Sequence, residues 1–291
     1  MKTIIYLLCI IFCVGCAEDL EQKQFNTDIY KGTPMEIYAG GVDGIETLID
    51  PENLKNYKLL DGGFYFHNVG WERLNILQRF AVANNTMGNL YACEFGFMNT
   101  DLHGIAVKDR LWSWYAPYEI WPEFILSNAF ACGRIPTVAQ WNKFTKFFRD
   151  DGYYNPIYPT FEYANFWYMY TLTDNLVSKR PSFQNLIKAA EGIAIDAPPK
   201  YFFGREKQYR EWVVDAIQWT RCSGYPAVVI LSPHHSEATF LKDSKKYLEY
   251  LRRMHANPTI VIVENYVGGS VGPESDLTSS LGVAKNLLEG M

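Results

Sequence analysis

The chain has 291 residues and a formal net charge of −5, with no cluster of Lys and Arg along it. Lys245-Lys246 and Arg252-Arg253 fit a solvated helix face, so nucleic acid is excluded as the expected partner. Aromatic residues reach 16% of the chain; many belong in a core, but aromatic faces also stack on sugar rings, which leans the expected partner towards carbohydrate.

At the N-terminus Lys2 is followed by an apolar run over residues 4–14 and then by Gly15-Cys16. The run is too short to span a bilayer and has the length of a signal-peptide core. Small residues before Cys16 resemble a bacterial lipobox, with Cys13 standing where Leu is usual. Ala17-Glu18-Asp19 resembles the acidic export tag of surface lipoproteins in the Bacteroidetes. The resemblance implies that residues 1–16 are a lipoprotein signal peptide ending in an acylated Cys16, and that residues 17–33 are a polar tether. It also implies an exported protein of the outer membrane or cell surface, touching the membrane through lipid alone. Ordinary secretion with cleavage at another small residue is the alternative. Residues 34–291 remain as a single body of about 260 residues, the usual size of one (β/α)8 domain.

Seven short apolar runs follow, at residues 35–41, 63–68, 90–97, 157–165, 193–198, 227–235 and 259–266. Most are separated by segments of helical periodicity, predicted over 137–149, 182–190, 205–222, 238–256 and 277–288. Thr137 with Gln140 reads as a capping box, Ser182 as an N-cap, and Gly192 and Gly224 as stops. Strand and helix in alternation imply a parallel α/β sheet. A (β/α)8-like TIM barrel is expected, in which seven strands are recognised. Either an eighth hides in atypical sequence or the ring is incomplete. A doubly wound sheet is the alternative, but no GxGxxG follows the first strand. Residues 98–136 are too long for a simple connection. They read as a long aromatic insertion after strand three, containing Trp112, Trp114, Tyr115, Tyr118 and Trp121 and a helix near 119–130. That insertion is either one wall of a binding cleft or a hydrophobic cap.

Beyond the leader the cysteines are Cys93, Cys132 and Cys222. Cys93 reads as a small buried hydrophobe, and Cys132 and Cys222 are the two available for a disulfide. No CxxC or HExxH spacing occurs, so no metal and no cofactor is expected. No GxSxG nucleophile elbow is present either, despite Ser232 and Ser236 beside two His.

Each apolar run ends in polar residues, and in a parallel barrel the C-terminal strand ends build one site. Glu94, Glu162, Asp196 and Glu264 stand at such ends, and buried strands rarely tolerate a carboxylate without a partner. Two carboxyl groups are what glycoside hydrolysis needs, one as acid and one as nucleophile or base. Counted among seven strands, Glu162 ends the fourth and Glu264 the seventh. This resembles the large barrel superfamily of retaining glycoside hydrolases. Phe161 stands where that superfamily has Asn before its strand-four Glu. The resemblance implies Glu162 as acid/base and Glu264 as nucleophile. His67, Asn68, Glu94, Trp114, Asn165, Trp167, Asp196, His234, His235 and Tyr266 are then the expected substrate contacts, with Pro233 turning the chain so that both His face one site. The expected function is a glycoside hydrolase acting on a poly- or oligosaccharide. A non-catalytic glycan-binding lipoprotein is one alternative. Others are a metal-dependent hydrolase of a phosphodiester or ester, using His67, Asp196, His234, His235 and Glu264, and a polysaccharide lyase with His or Tyr as base.

Overall fold

All seven apolar runs contain a strand in the computed structural model, which describes residues 35–41, 64–67, 90–94, 123–126, 137–150, 157–161, 163, 166, 176–234, 236–265 and 272–290. These strands are β1 (Glu36–Gly41), β2 (Phe64–His67), β3 (Leu90–Glu94), β5 (Ile157–Phe161), β6 (Ile193–Asp196), β7 (Ala227–Leu231) and β8 (Ile260–Asn265). An eighth, β4 (Glu123–Leu126), lies in the stretch expected to be an insertion with a helix near 119–130. The ring is therefore complete, and the connection after β3 leads to a strand. Every neighbouring pair runs parallel, and β8 pairs back to β1 over six residues, from Glu36 opposite Ile260 to Gly41 opposite Asn265, closing the barrel. The described residues belong to one compact unit, Pro34–Met291.

Five predicted helices are present as α1 (Val138–Asp150), α2 (Pro181–Ala190), α4 (Lys207–Cys222), α5 (Phe240–Arg253) and α6 (Ser280–Glu289). A short α3 (Pro199–Gly204) precedes α4, and 3-10 turns at Val177–Lys179 and Glu237–Thr239 precede α2 and α5. No helix among the described residues is long and apolar enough to cross a membrane.

Alternation along each strand divides its side chains between two layers. Ile193, Ile195, Ala227, Val229, Leu231, Val261 and Val263 belong to the large core shared with Phe183, Leu186, Trp212, Ile217 and Leu251 of the helices. Tyr158, Ala194, Val228, Ile230, Ile260 and Ile262 form a separate cluster made only of strand residues, which fills the inside of the ring. The register supports this, since Ala194 lies opposite Val228 and Ile230 opposite Ile262. Much of the aromatic content is spent between ring and helices. Trp212 is fully buried and has the rings of Phe161, Phe166, Phe183 and Tyr209 around it, with centroids 5.9–6.3 Å away.

Both boundaries of α2 differ from expectation. The residue capping α2 is Arg180, and Pro181 begins the helix, so Ser182 lies inside it. Proline suits that first position because its φ is already helical and its missing N–H has no helical partner there. At the other end the left-handed residue is Glu191, with φ 56°, and the N–H of Gly192 donates to the carbonyl of Ile187 at 3.2 Å. Gly192 itself has φ 155°, and a Cβ there would stand 2.7 Å from the Tyr158 ring and 2.9 Å from the Pro226 carbonyl oxygen. Glycine is required by this close approach, which sets β6 against its neighbours.

Candidate active site

The parity that puts Ala194, Val228, Ile230, Ile260 and Ile262 inside the ring continues to the strand ends. It directs Asp196 of β6, Ser232 just past β7 and Glu264 of β8 inward, on three consecutive strands. Glu264 is 3% exposed and Ser232 1%. Gly40 of β1 lies in register with Glu264. Asn265 has the opposite parity, that of Val261 and Val263, and faces the helix layer.

One further hydroxyl, that of Tyr247 on α5, is close enough to Asp196 to feel its charge. The Ser232 Oγ and the Tyr247 phenol oxygen are buried and have no hydrogen-bond partner among the described residues. An orphaned buried hydroxyl costs about 1–3 kcal/mol, a cost that a polar ligand can remove. Burial, with the charge of Asp196 as a second cause, pushes the Tyr247 phenol well above its ordinary range, so it stays a protonated donor.

After Ser232 the chain turns as the sequence suggested. The Ser236 N–H donates to the Pro233 carbonyl at 3.0 Å, and His234 adopts φ 45°. His234 is half-buried, and the Tyr201 ring of α3 meets it edge-on with centroids 4.2 Å apart.

The other expected residues divide as follows. His67 and Glu94 are the last residues of β2 and β3, at the same end of the ring as Asp196 and Glu264, but their side chains are outside the described residues. Asn68, Trp114, Glu162, Asn165, Trp167, His235 and Tyr266 lie outside the described residues altogether, as do Cys16 and Cys132. Cys222 is exposed at the end of α4. Among the described residues no group of three or more His, Cys, Asp or Glu is arranged to hold a metal ion.

The strand order corrects one argument. With β4 counted, Glu162 is the residue after β5 and Glu264 belongs to β8. Carboxylates after strands five and eight do not match the superfamily that keeps them after four and seven. The positional basis for naming Glu162 acid/base and Glu264 nucleophile is therefore removed. What remains for Glu264 is its own setting, inward and buried beside Ser232, with Asp196 one strand further.

No protein-family model matches the chain, and no curated protein matches it. Solved structures do. A variant of the carboxyl transferase domain of Rhizobium etli pyruvate carboxylase, with pyruvate, aligns at a TM-score of 0.51 and 14% identity, over 91% of this chain and 48% of that one. Haloferax volcanii malate synthase, in a ternary complex with pyruvate and acetyl-CoA, aligns at 0.51 and 9% identity, over 92% of this chain and 71% of that one. The chain thus spans about half the length of the Rhizobium chain. These neighbours are TIM-barrel enzymes, and at such identities the likeness is one of fold alone: mixed α/β with a parallel sheet.

Proposed function

We propose that the protein is a TIM-barrel glycoside hydrolase of the cell surface, acting on a poly- or oligosaccharide through a carboxylate pair that includes Glu264. The observation that carries this reading is the inward set Asp196, Ser232 and Glu264 on consecutive strands at one end of the ring. Backbones two strands apart stand about 10 Å from each other. Asp196 lies opposite Ile230 and Ile230 opposite Ile262, two residues before Glu264. Catalysis by this pair requires the two carboxyl groups to approach within about 5–9.5 Å across the ring. One carboxyl protonates the leaving oxygen while the other attacks the anomeric carbon or activates water. Ser232 supplies a donor for a sugar hydroxyl or for orienting a carboxylate, and Tyr247, buried beneath the site, one for Asp196. With the superfamily position gone, Asp196 is the partner with the stronger structural support, and Glu162 keeps only its place at a strand end.

The test is release of reducing ends from a panel of polysaccharides. Glu264→Gln and Asp196→Asn are each expected to lower kcat by about 10³-fold while saccharide binding persists, the size typical of losing a general acid or base. Wild-type turnover in both variants would remove the assignment.

A further inference from the structure

A cation on the same rim makes no ion pair within 4 Å among the described residues, although its charge reaches the neighbouring Glu206. Arg205 follows α3, and its guanidinium carbon lies over two aromatic rings, 4.1 Å from the centroid of Tyr163 and 4.8 Å from that of Tyr201. Tyr163 is two residues past β5, Tyr201 follows β6, and Tyr201 in turn meets His234 beyond β7. The three strand ends therefore contribute to one contiguous patch that reaches a residue already singled out for substrate contact.

The patch is held in place before any ligand arrives. The Tyr163 hydroxyl donates to the Glu206 carboxylate, 2.9 and 3.1 Å from its two oxygens. Arg210 donates to the Arg205 carbonyl at 2.7 Å and fixes the backbone. The Glu206 carboxyl is held below its usual range first by its own backbone N–H, then by the Tyr163 hydroxyl and by the nearby Arg205 charge, and its oxygens are engaged with the Tyr163 hydroxyl. No carboxylate among the described residues ion-pairs with Arg205, and its Nε has no hydrogen-bond partner there. Around it, residues 199–210 carry Lys200, Arg205, Lys207 and Arg210 against the single carboxylate of Glu206. Lys207 is taken up by Glu211 at 3.1 Å. In a chain of net charge −5 this rim is locally cationic.

Aromatic faces hold a cation through their quadrupole without neutralising it, for about 0.5–2 kcal/mol. A guanidinium seated on aromatic rings keeps its terminal Nη donors for a ligand, Nε being buried. These donors match a planar carboxylate in two parallel hydrogen bonds, which a Lys ammonium cannot do. We infer that Arg205, seated on Tyr163 and Tyr201, is a subsite for the carboxylate of an acidic sugar, so that the saccharide is one containing uronic acid. This rests on the carbohydrate reading above and specifies its substrate class.

The experiment is calorimetric binding by the full chain to matched probes. These are oligosaccharides of galacturonate, glucuronate and mannuronate, the same oligosaccharides after carboxyl reduction, and sulfated oligosaccharides of neutral sugars. At least one uronate probe is expected to bind about tenfold or more tighter than its reduced form, a margin of about 1.4 kcal/mol. Arg205→Gln is expected to bring that ratio to about one with the melting temperature and the affinity for the reduced form unchanged. Arg205 is partly exposed after a short helix, so the variant retains its core. Equal binding of acid and reduced probes overturns the subsite and leaves the carbohydrate reading standing. Persistence of the preference in Arg205→Gln overturns it too, as does stronger binding of the sulfated probes. No binding to any saccharide removes the carbohydrate reading and the subsite with it.

Discussion

Asp215 of α4 is buried to 7% exposure against the 3-10 turn at Val177–Lys179 and accepts the N–H of Ser178 at 2.9 Å. Burial raises its carboxyl above the ordinary value, and the Ser178 hydrogen bond opposes that rise without cancelling it. The folded protein therefore keeps this proton to a higher pH than the unfolded chain does. The stability linked to it is fully present below the unfolded carboxylate range and is lost as pH climbs through the raised folded value. Asp215→Asn keeps an oxygen for Ser178 and removes the charge. Its stability relative to the wild type is expected to grow from pH 4 to pH 7, read as urea midpoints across that range; a flat or falling difference would refute the assignment. Residues like this are hard to read from sequence, because one Asp on an amphipathic helix looks the same whether it meets water or a loop. Asp196 and Glu264 were legible because each ends a β-branched run. Arg205 was not, since its seat is made by Tyr163, whose anchor Glu206 lies 43 positions away along the chain.

Between α2 and β6 the chain changes direction in two residues, and the geometry of that corner sets where Asp196 emerges. A methyl group at Gly192 would meet the Tyr158 ring and the Pro226 carbonyl, in a backbone conformation that L residues rarely adopt. Gly192→Ala is expected to cost about 1–3 kcal/mol, the usual penalty for overpacking. For a domain of this size that is a fall of about 2–4 °C in Tm per kcal/mol, measurable by thermal denaturation; an unchanged Tm would show that Tyr158 yields freely. The helices were legible as elements because their apolar spacing is regular, with Phe183, Leu186, Ile187 and Ala190 all buried on one face of α2. β4 was not. Its four residues, Glu123 to Leu126, open on a carboxylate and lie among Trp and Pro. Missing that strand displaced the numbering of every later one, and the family resemblance built on the numbering went with it.

For the whole molecule, a parallel α/β sheet was legible from alternating runs and helices and its closure was not, and the fold likeness to barrel enzymes agrees with the parallel sheet. Where the molecule resides rests on Cys16 and the residues around it. If Cys16 carries the lipid, labelled palmitate is incorporated by the wild-type chain and lost in Cys16→Ser, and the variant leaves the membrane fraction. Equal labelling of both would show that anchoring does not run through this residue.

The pairing of β8 with β1 has a consequence in time. The last strand among the described residues is the one that shuts the ring, and it is also the one that carries Glu264. A chain made from its N-terminus presents an open sheet with two bare edges until residues 260–265 dock between β7 and β1. The inward set at the mouth of the ring is equally incomplete until that moment. Closure and arming are one event, so a molecule stalled during folding lacks the group on which the proposed chemistry depends.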